Sequence, residues 1–175
     1  MPADWLSSIE TVEKWKVSNQ LNSQLVNENV YAILPDKGGN LLLGTLSALV
    51  SFNPEKKSFT TIDKEKDGTP FTSQRITILF RDSHKRLWIG GEEGISVFQQ
   101  EGLEIEKVPI LPESSVTKTF TNCIYEADNG IIWVGTREGF YCFNEKEKKI
   151  KRYTTANGLP NNVVYGVLED TSDVF

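Results

Sequence analysis

The 175-residue chain is 38% hydrophobic and 10% aromatic, which is enough apolar material for one domain with a core and excludes a disordered composition. Its formal net charge of −5 argues against nucleic-acid binding, which needs a basic face to neutralise phosphates. Two cysteines and one histidine are too few protein ligands for a zinc site, so we expect neither a metal nor a cofactor.

The sequence predicts no membrane contact and no export signal in this chain. No apolar run approaches the length of a membrane helix. The stretch 1–5 lacks the basic and apolar regions of a signal peptide. These observations leave open a cytoplasmic protein, a fragment or a processed chain.

A repeat of about 45 residues dominates the sequence. Three copies align on anchor positions that are 46 and 45 residues apart: Leu42, Trp88 and Trp133. A separate match of 24–36 with 158–170 brings Leu, Asn, Val, Tyr, Leu and Asp into coincidence at three times that period. Two independent matches with one period predict tandem structural repeats.

Each period predicts four short strands separated by turns. In the third copy we expect strands over 120–126, 131–136, 139–144 and 149–154, with a turn at Asp128-Asn129-Gly130. Four antiparallel strands at this period are typical of a β-propeller blade, so the predicted fold class is all-β.

The phase of the repeat divides the chain into parts of blades within one propeller domain. In chain order we expect the last strands of a preceding blade over 1–23, complete blades over 24–65, 66–112 and 113–157, and the first strand of a further blade over 158–175. A piece of a larger ring, self-closure through a composite blade and completion by a second copy of the chain remain open alternatives.

Two residue types at fixed positions predict how the blades pack. The anchor residues are expected to fill the space between adjacent blades. The glycine two residues after each anchor, namely Gly44, Gly90 or Gly135, is expected to permit close backbone approach.

The repeat resembles the two-component regulator propeller repeat. The resemblance rests on the pattern N-x-V-x-x-(I/L)-x-x-D within 158–170, on 87–90 and 132–136 for the L-W-I-G-T element, and on Gly94-Ile95 and Gly139-Phe140. It covers nearly the whole chain. The sequence departs from the pattern at five positions: Leu42 for Trp, Ala48 for Gly, Lys85 for the turn Gly, Gly91 for Thr and Ala127 for Asp.

The resemblance implies a sensor function. Repeats of this family build the extracytoplasmic, periplasmic sensor region of hybrid two-component histidine kinases in Bacteroidetes such as Bacteroides. Those propellers sense oligosaccharides released from glycans. The chain would therefore hold noncatalytic sensor blades, and only the full-length parent would be a histidine kinase.

Charged residues recur in the loop between the second and third strands. Glu92-Glu93 and Arg137-Glu138 occupy the same repeat positions, and Arg75 precedes the first strand of its blade. The functional hypothesis is that the carboxylates hydrogen-bond sugar hydroxyls and an arginine binds an acidic group. The alternative is an ordinary solvated polar loop.

Two other functions are weighed against the sensor hypothesis. Paired carboxylates could serve a glycan-active hydrolase or lyase, and 128–133 partly resembles the Asp-box of sialidase propellers, but Ile132 stands where that motif has Thr. A protein-interaction propeller would show a broad exposed face instead of a concave polar site. We expect no catalytic residues.

The remaining reactive side chains are assigned structural roles. Cys123 and Cys142 fall on the first and third strands of one blade, about 10 Å apart, which is too far for a disulfide. They are expected to be free, mostly buried thiols. His84 is expected to be exposed in a turn. Tyr31 and Tyr165 share a repeat position, where packing is favoured over sugar stacking.

Overall fold

The computed structural model describes residues 29–71, 75–109 and 119–170. Within these ranges the chain forms three four-stranded antiparallel sheets, each a meander in which consecutive strands are neighbours. The all-β prediction is confirmed. Blade 1 consists of β1 (Val30–Pro35), β2 (Leu41–Thr45), β3 (Leu49–Asn53) and β4 (Ser58–Ile62); blade 2 of β5 (Ile76–Arg81), β6 (Leu87–Gly91), β7 (Gly94–Glu101) and β8 (Glu104–Lys107); blade 3 of β9 (Thr121–Glu126), β10 (Ile132–Thr136), β11 (Phe140–Asn144) and β12 (Lys149–Tyr153).

The predicted strands of blade 3 agree with the observed ones to within one residue at each end. Gly130 adopts a φ of 78° in the first turn, which is the conformation for which glycine is suited. Lys85, which replaces glycine at the same position of blade 2, is also left-handed, with a φ of 66°. The left-handed turn conformation is therefore retained in blade 2, although lysine replaces the usual glycine there. The strands predicted within 1–23 lie outside the described residues.

Residues 162–170 follow blade 3 in the place of a further first strand. The Val164 amide donates to the Thr136 carbonyl at 2.9 Å, and Asn122 Nδ2 donates to the Val164 carbonyl at 3.0 Å. Over 162–170 the chain nevertheless pairs in no β-ladder.

Adjacent blades pack face to face through apolar cores. Trp88 of blade 2 is fully buried, and its ring lies 6.3 Å from that of Phe143 in blade 3. This contact confirms the interblade position predicted for the anchor. Blade 1 contributes Leu42, Leu49 and Ile62 to the first core, against Ile76, Leu79, Leu87, Ile89, Phe98 and Ile105 of blade 2.

Trp133 lies on the opposite, outer face of blade 3. It is half-buried and stacks on Phe140 of its own blade, with ring centroids 4.8 Å apart. Two further apolar side chains of the following segment are exposed, Tyr165 at 79% and Leu168 at 97%. Blade 3 therefore presents an open apolar face where blade 2 presents a closed one.

The glycine that recurs two residues after each anchor allows the close backbone approach that the sequence predicts. A Cβ atom on Gly44 would lie 2.6 Å from Ile76 Cγ2, and one on Gly135 would lie 2.9 Å from Val164 Cγ1. The Gly90 position is tight against Thr121, at 3.1 Å. The first strand of blades 2 and 3, and Val164 after blade 3, thus lie directly on the second strand of the blade before them.

Polar side chains also join blades 2 and 3. The carboxylate of buried Asp82 accepts hydrogen bonds from the Trp88 indole at 2.8 Å and from Arg86 Nε at 2.6 Å. Arg86 donates through both terminal nitrogens to Glu145 of blade 3, each at 2.7 Å. This bidentate pair raises the pKa of Arg86 and lowers that of Glu145. Ala127 replaces the aspartate in blade 3, so Trp133 lacks this acceptor.

Candidate ligand site

One end of the blades carries both the turns between second and third strands and the connections between blades. These turns cover 46–48, 92–93 and 137–139, and we call this end the connection face. The Asp82–Arg86–Glu145 network lies at the opposite end, because it occupies the other set of turns. All five predicted site residues fall on or beside the connection face.

The structure brings Arg75 and Glu92 together. Arg75 Nε lies 4.0 Å from Glu92 Oε2, with the two side chains 41% and 51% exposed. The Arg75 guanidinium also lies over the ring of Tyr31 in blade 1, 5.8 Å from its centroid. A cation, a carboxylate and an aromatic ring therefore meet at the boundary between blades 1 and 2.

Arg137 and Glu138 make separate contacts within blade 3. The Arg137 guanidinium lies 4.0 Å from the centroid of the Phe120 ring, close enough for a cation–π interaction. Glu138 is approached by Arg152, whose Nε donates to the Glu138 carbonyl at 3.0 Å and whose Nη2 lies 3.9 Å from Glu138 Oε2. Glu93 is exposed in the β6–β7 turn.

Sequence reasoning does not anticipate two contacts at this face, the Arg137–Phe120 cation–π pair and the Arg152–Glu138 contact. The sequence predicts Phe120 only as a strand residue and assigns no role to Arg152. The repeat offered a usable signal for Phe120, because it occupies the same position as Arg75, immediately before the first strand. No comparable signal marks Arg152, since it lies in a run of lysines at a solvated edge strand.

The reactive side chains have the structural roles expected of them, with one correction. Cys123 and Cys142 are free, as predicted, but each is half-buried instead of mostly buried. Burial raises the pKa of both thiols, so neither is activated as a nucleophile. Their greater exposure has a clear cause, because both lie on the outer face of blade 3 beside Trp133.

A serine, a histidine and a glutamate meet at the opposite end of the blades. Ser83 Oγ donates to Glu126 Oε1 at 2.6 Å and lies 3.4 Å from Nδ1 of exposed His84. In a nucleophilic triad the histidine stands between serine and carboxylate. Here the serine hydroxyl stands between the other two, so the geometry is that of a surface hydrogen bond between blades 2 and 3.

The described residues offer no metal cluster and no membrane helix, and they line a further open cavity. Within 29–71, 75–109 and 119–170, no group of three or more His, Cys, Asp or Glu side chains could hold a metal ion. The same residues include no helix that could cross a membrane. An open cavity of about 410 Å³ lies at the outer edge between the 63–71 connection and β8, lined by Glu65, Lys66, Asp67, Glu106 and Lys107.

Stacked four-stranded meanders with apolar interblade cores define a β-propeller segment. Residues 114–138 match the family model of the two component regulator propeller, which confirms the recognition made from the repeat motifs.

A curated relative and two solved structures extend the comparison. Histidine kinase P4 from Formosa agariphila is 28% identical over 169 residues, an alignment that covers 92% of this chain and 12% of the relative. The extracellular domain of BT4673 from B. thetaiotaomicron, described both as a one component and as a hybrid two component system, superposes with a TM-score of 0.65 at 20% identity, covering 84% of this chain and 20% of that one. The extracellular domain of BT3049 from the same organism, described as a hybrid two component system, gives a TM-score of 0.54 at 22% identity, covering 73% and 17%. The chain thus spans a small part of each of these proteins.

Proposed function

We propose that this chain is part of the extracytoplasmic, periplasmic sensor region of a hybrid two-component histidine kinase. The match to the regulator propeller model and the similarity to histidine kinase P4 support this function. The solved neighbours with the same fold are extracellular domains of proteins described as one component or hybrid two component systems. The blades contribute recognition and no catalysis in this proposal.

The proposed ligand is an oligosaccharide bound at the connection face. The observation that carries this proposal is the meeting of Tyr31, Arg75 and Glu92 at the boundary between two blades. Aromatic rings stack on the apolar faces of sugars, and charged side chains fix the orientation of hydroxyl and acidic groups. Glu93, Arg137 and Glu138 extend the same face with further polar groups.

The partner of the open face of blade 3 is a further blade, either from a longer chain or from a second copy. Trp133 lies half-buried there, while its counterpart Trp88 is fully buried by the next blade. Tyr165 and Leu168 of the segment that follows blade 3 are exposed as well. A blade is the partner whose face already complements an anchor tryptophan elsewhere in this molecule.

Titration calorimetry against a panel of neutral and acidic oligosaccharides tests the sensor function. We expect at least one member to bind, and the double variant Glu92→Ala, Arg75→Ala to weaken that binding by about tenfold or more, because charged hydrogen bonds contribute about 1.5–3 kcal/mol. The matched control is Lys66→Ala, Glu106→Ala, which removes a charge pair at the outer edge. Absence of binding by a folded chain, or equal weakening by the control, would contradict the proposal.

A further inference from the structure

Blade 2 lacks a threonine that shapes the connection-face turn in the other two blades. Thr45 and Thr136 each donate a hydroxyl hydrogen bond to a carbonyl three residues on, both at 2.9 Å. Gly91 takes this position in blade 2, and it pairs with Gly94, which corresponds to Ala48 and Gly139 of the other two turns. Glycine at this position cannot make that stabilising hydrogen bond, so another contact in blade 2 must account for its presence.

The space left by that threonine is filled by the main chain of Arg75. A Cβ atom on Gly91 would overlap the Arg75 carbonyl oxygen and would lie 3.0 Å from its carbonyl carbon. Arg75 itself has a φ of 45°, in the left-handed region that is strained for a residue other than glycine. Its counterpart Phe120, beside Thr136, is not in that region. The left-handed backbone of Arg75 and the glycine at position 91 are therefore linked, because any other residue at position 91 would collide with the Arg75 carbonyl.

This arrangement leaves the Arg75 side chain incompletely bonded. Among the described residues, its buried Nε atom has no hydrogen-bond partner. Glu92 Oε2 lies 4.0 Å away, too far for a hydrogen bond, and Tyr31 contacts the guanidinium only through its ring. The Nε atom is buried, but the side chain as a whole is 41% exposed, so a ligand on the connection face reaches other atoms of the same side chain. Backbone strain and an unmet donor together mark a functional position.

We propose that Arg75 recognises an anionic group, a carboxylate or a sulfate, on the oligosaccharide, and that Gly91 is the positioning residue that sets its conformation. This inference rests on the proposed function and adds the chemical class of the ligand. A guanidinium is the side chain best matched to a planar or tetrahedral oxyanion, because it donates two parallel hydrogen bonds.

Arg137 provides the matched control. It lies on the same face but stacks on Phe120 at 4.0 Å from an unstrained backbone, and no glycine departure accompanies it. The two arginines therefore differ in conformation and in bonding, while the sign and type of charge are the same.

The test follows the Nε–Hε resonances of Arg75 and Arg137 by NMR, with separate additions of sodium glucuronate, sodium sulfate, glucose and sodium chloride at matched ionic strength. We expect Arg75 to shift saturably with glucuronate, sulfate or both, at lower anion concentrations than any shift of Arg137. The arm that saturates identifies the anion. An Arg75 response equal to that of sodium chloride, or a response at Arg137 alone, would overturn the proposal.

Two variants separate positioning from binding. Gly91→Thr, which restores the residue of the repeat, is expected to abolish the saturable shift of Arg75 while tryptophan fluorescence stays unchanged. If that variant does not fold, Arg75→Met decides the question: it should weaken an acidic oligosaccharide about tenfold or more and leave a neutral one unaffected. Equal affinity of Arg75→Met and the parent for the acidic sugar would refute the proposal, and binding of neutral sugars alone would leave the sensor function standing. If no oligosaccharide binds but the Arg75 resonance still shifts saturably with glucuronate, the proposed sensing of oligosaccharides would be refuted, and anion binding by Arg75 would stand.

Discussion

Replacement of Trp88 by alanine is expected to lower the free energy of unfolding by about 3–5 kcal/mol. Trp88 is fully buried between blades 2 and 3, where it contacts Phe143 and donates its indole N–H to Asp82 at 2.8 Å. Its removal opens a cavity in the interblade core and leaves the Asp82 carboxylate with one donor fewer. Urea denaturation, followed by far-UV circular dichroism, measures the loss.

Trp133→Ala is the matched control for Trp88→Ala, because the two residues share one repeat position. Trp133 is half-buried, and within the described part of the chain its ring stacks on Phe140 and lies tilted against Tyr153, both of its own blade. We therefore expect a clearly smaller loss from Trp133→Ala. Equal losses from the two variants would mean that the blade 2–blade 3 interface does not stabilise the chain in the way described.

The second large effect is expected from Asp82→Ala, which should cost about 3–5 kcal/mol because it leaves a buried arginine without one of its two carboxylate partners. The Asp82 side chain is completely buried and that of Arg86 is 10% exposed. Asp82→Asn is the control, since it keeps one acceptor oxygen for the Trp88 indole while it removes the charge and the oxygen that accepts from the Arg86 amide. Chemical denaturation of both variants at pH 7 gives the comparison. An Asp82→Ala variant as stable as the parent chain would contradict the role assigned to this network.

The same network predicts a pH dependence at Glu145. Arg86 lowers the pKa of this carboxyl, so its contribution to stability is complete above its ordinary pKa and is lost as pH falls through the lowered value. Glu145 is 39% exposed, and solvent screening keeps that contribution small. The stability difference between the parent chain and Glu145→Gln should therefore be largest near neutral pH and disappear in acid.

The repeat made the architecture predictable because a periodic sequence constrains every blade at once. The strands of blade 3, the interblade place of Trp88 and the close approach at Gly44 all follow from residues that recur at one spacing. The departures from the pattern were visible but not interpretable from sequence. Gly91 in place of threonine became meaningful only when Arg75 was found against it.

Contacts between blades were the least predictable part of the molecule. Arg86 and Glu145 are 59 residues apart, and Arg75 meets Tyr31 across a blade boundary. Neither pair shares a repeat position that would signal a contact. The exposure of Cys123 and Cys142 depends in the same way on which blade covers their face, a property that the sequence of one blade does not contain.

The most direct test of oligosaccharide recognition at the connection face is hydrogen exchange, measured by mass spectrometry with and without the oligosaccharide that binds most tightly in the calorimetric panel. We predict slower exchange in peptides that cover 75–79 and 91–95, beside Tyr31, Arg75 and Glu92. Peptides over the opposite turns, 82–86 and 127–130, should be unchanged. Protection confined to those opposite turns, or to the outer face around Trp133, would contradict the account.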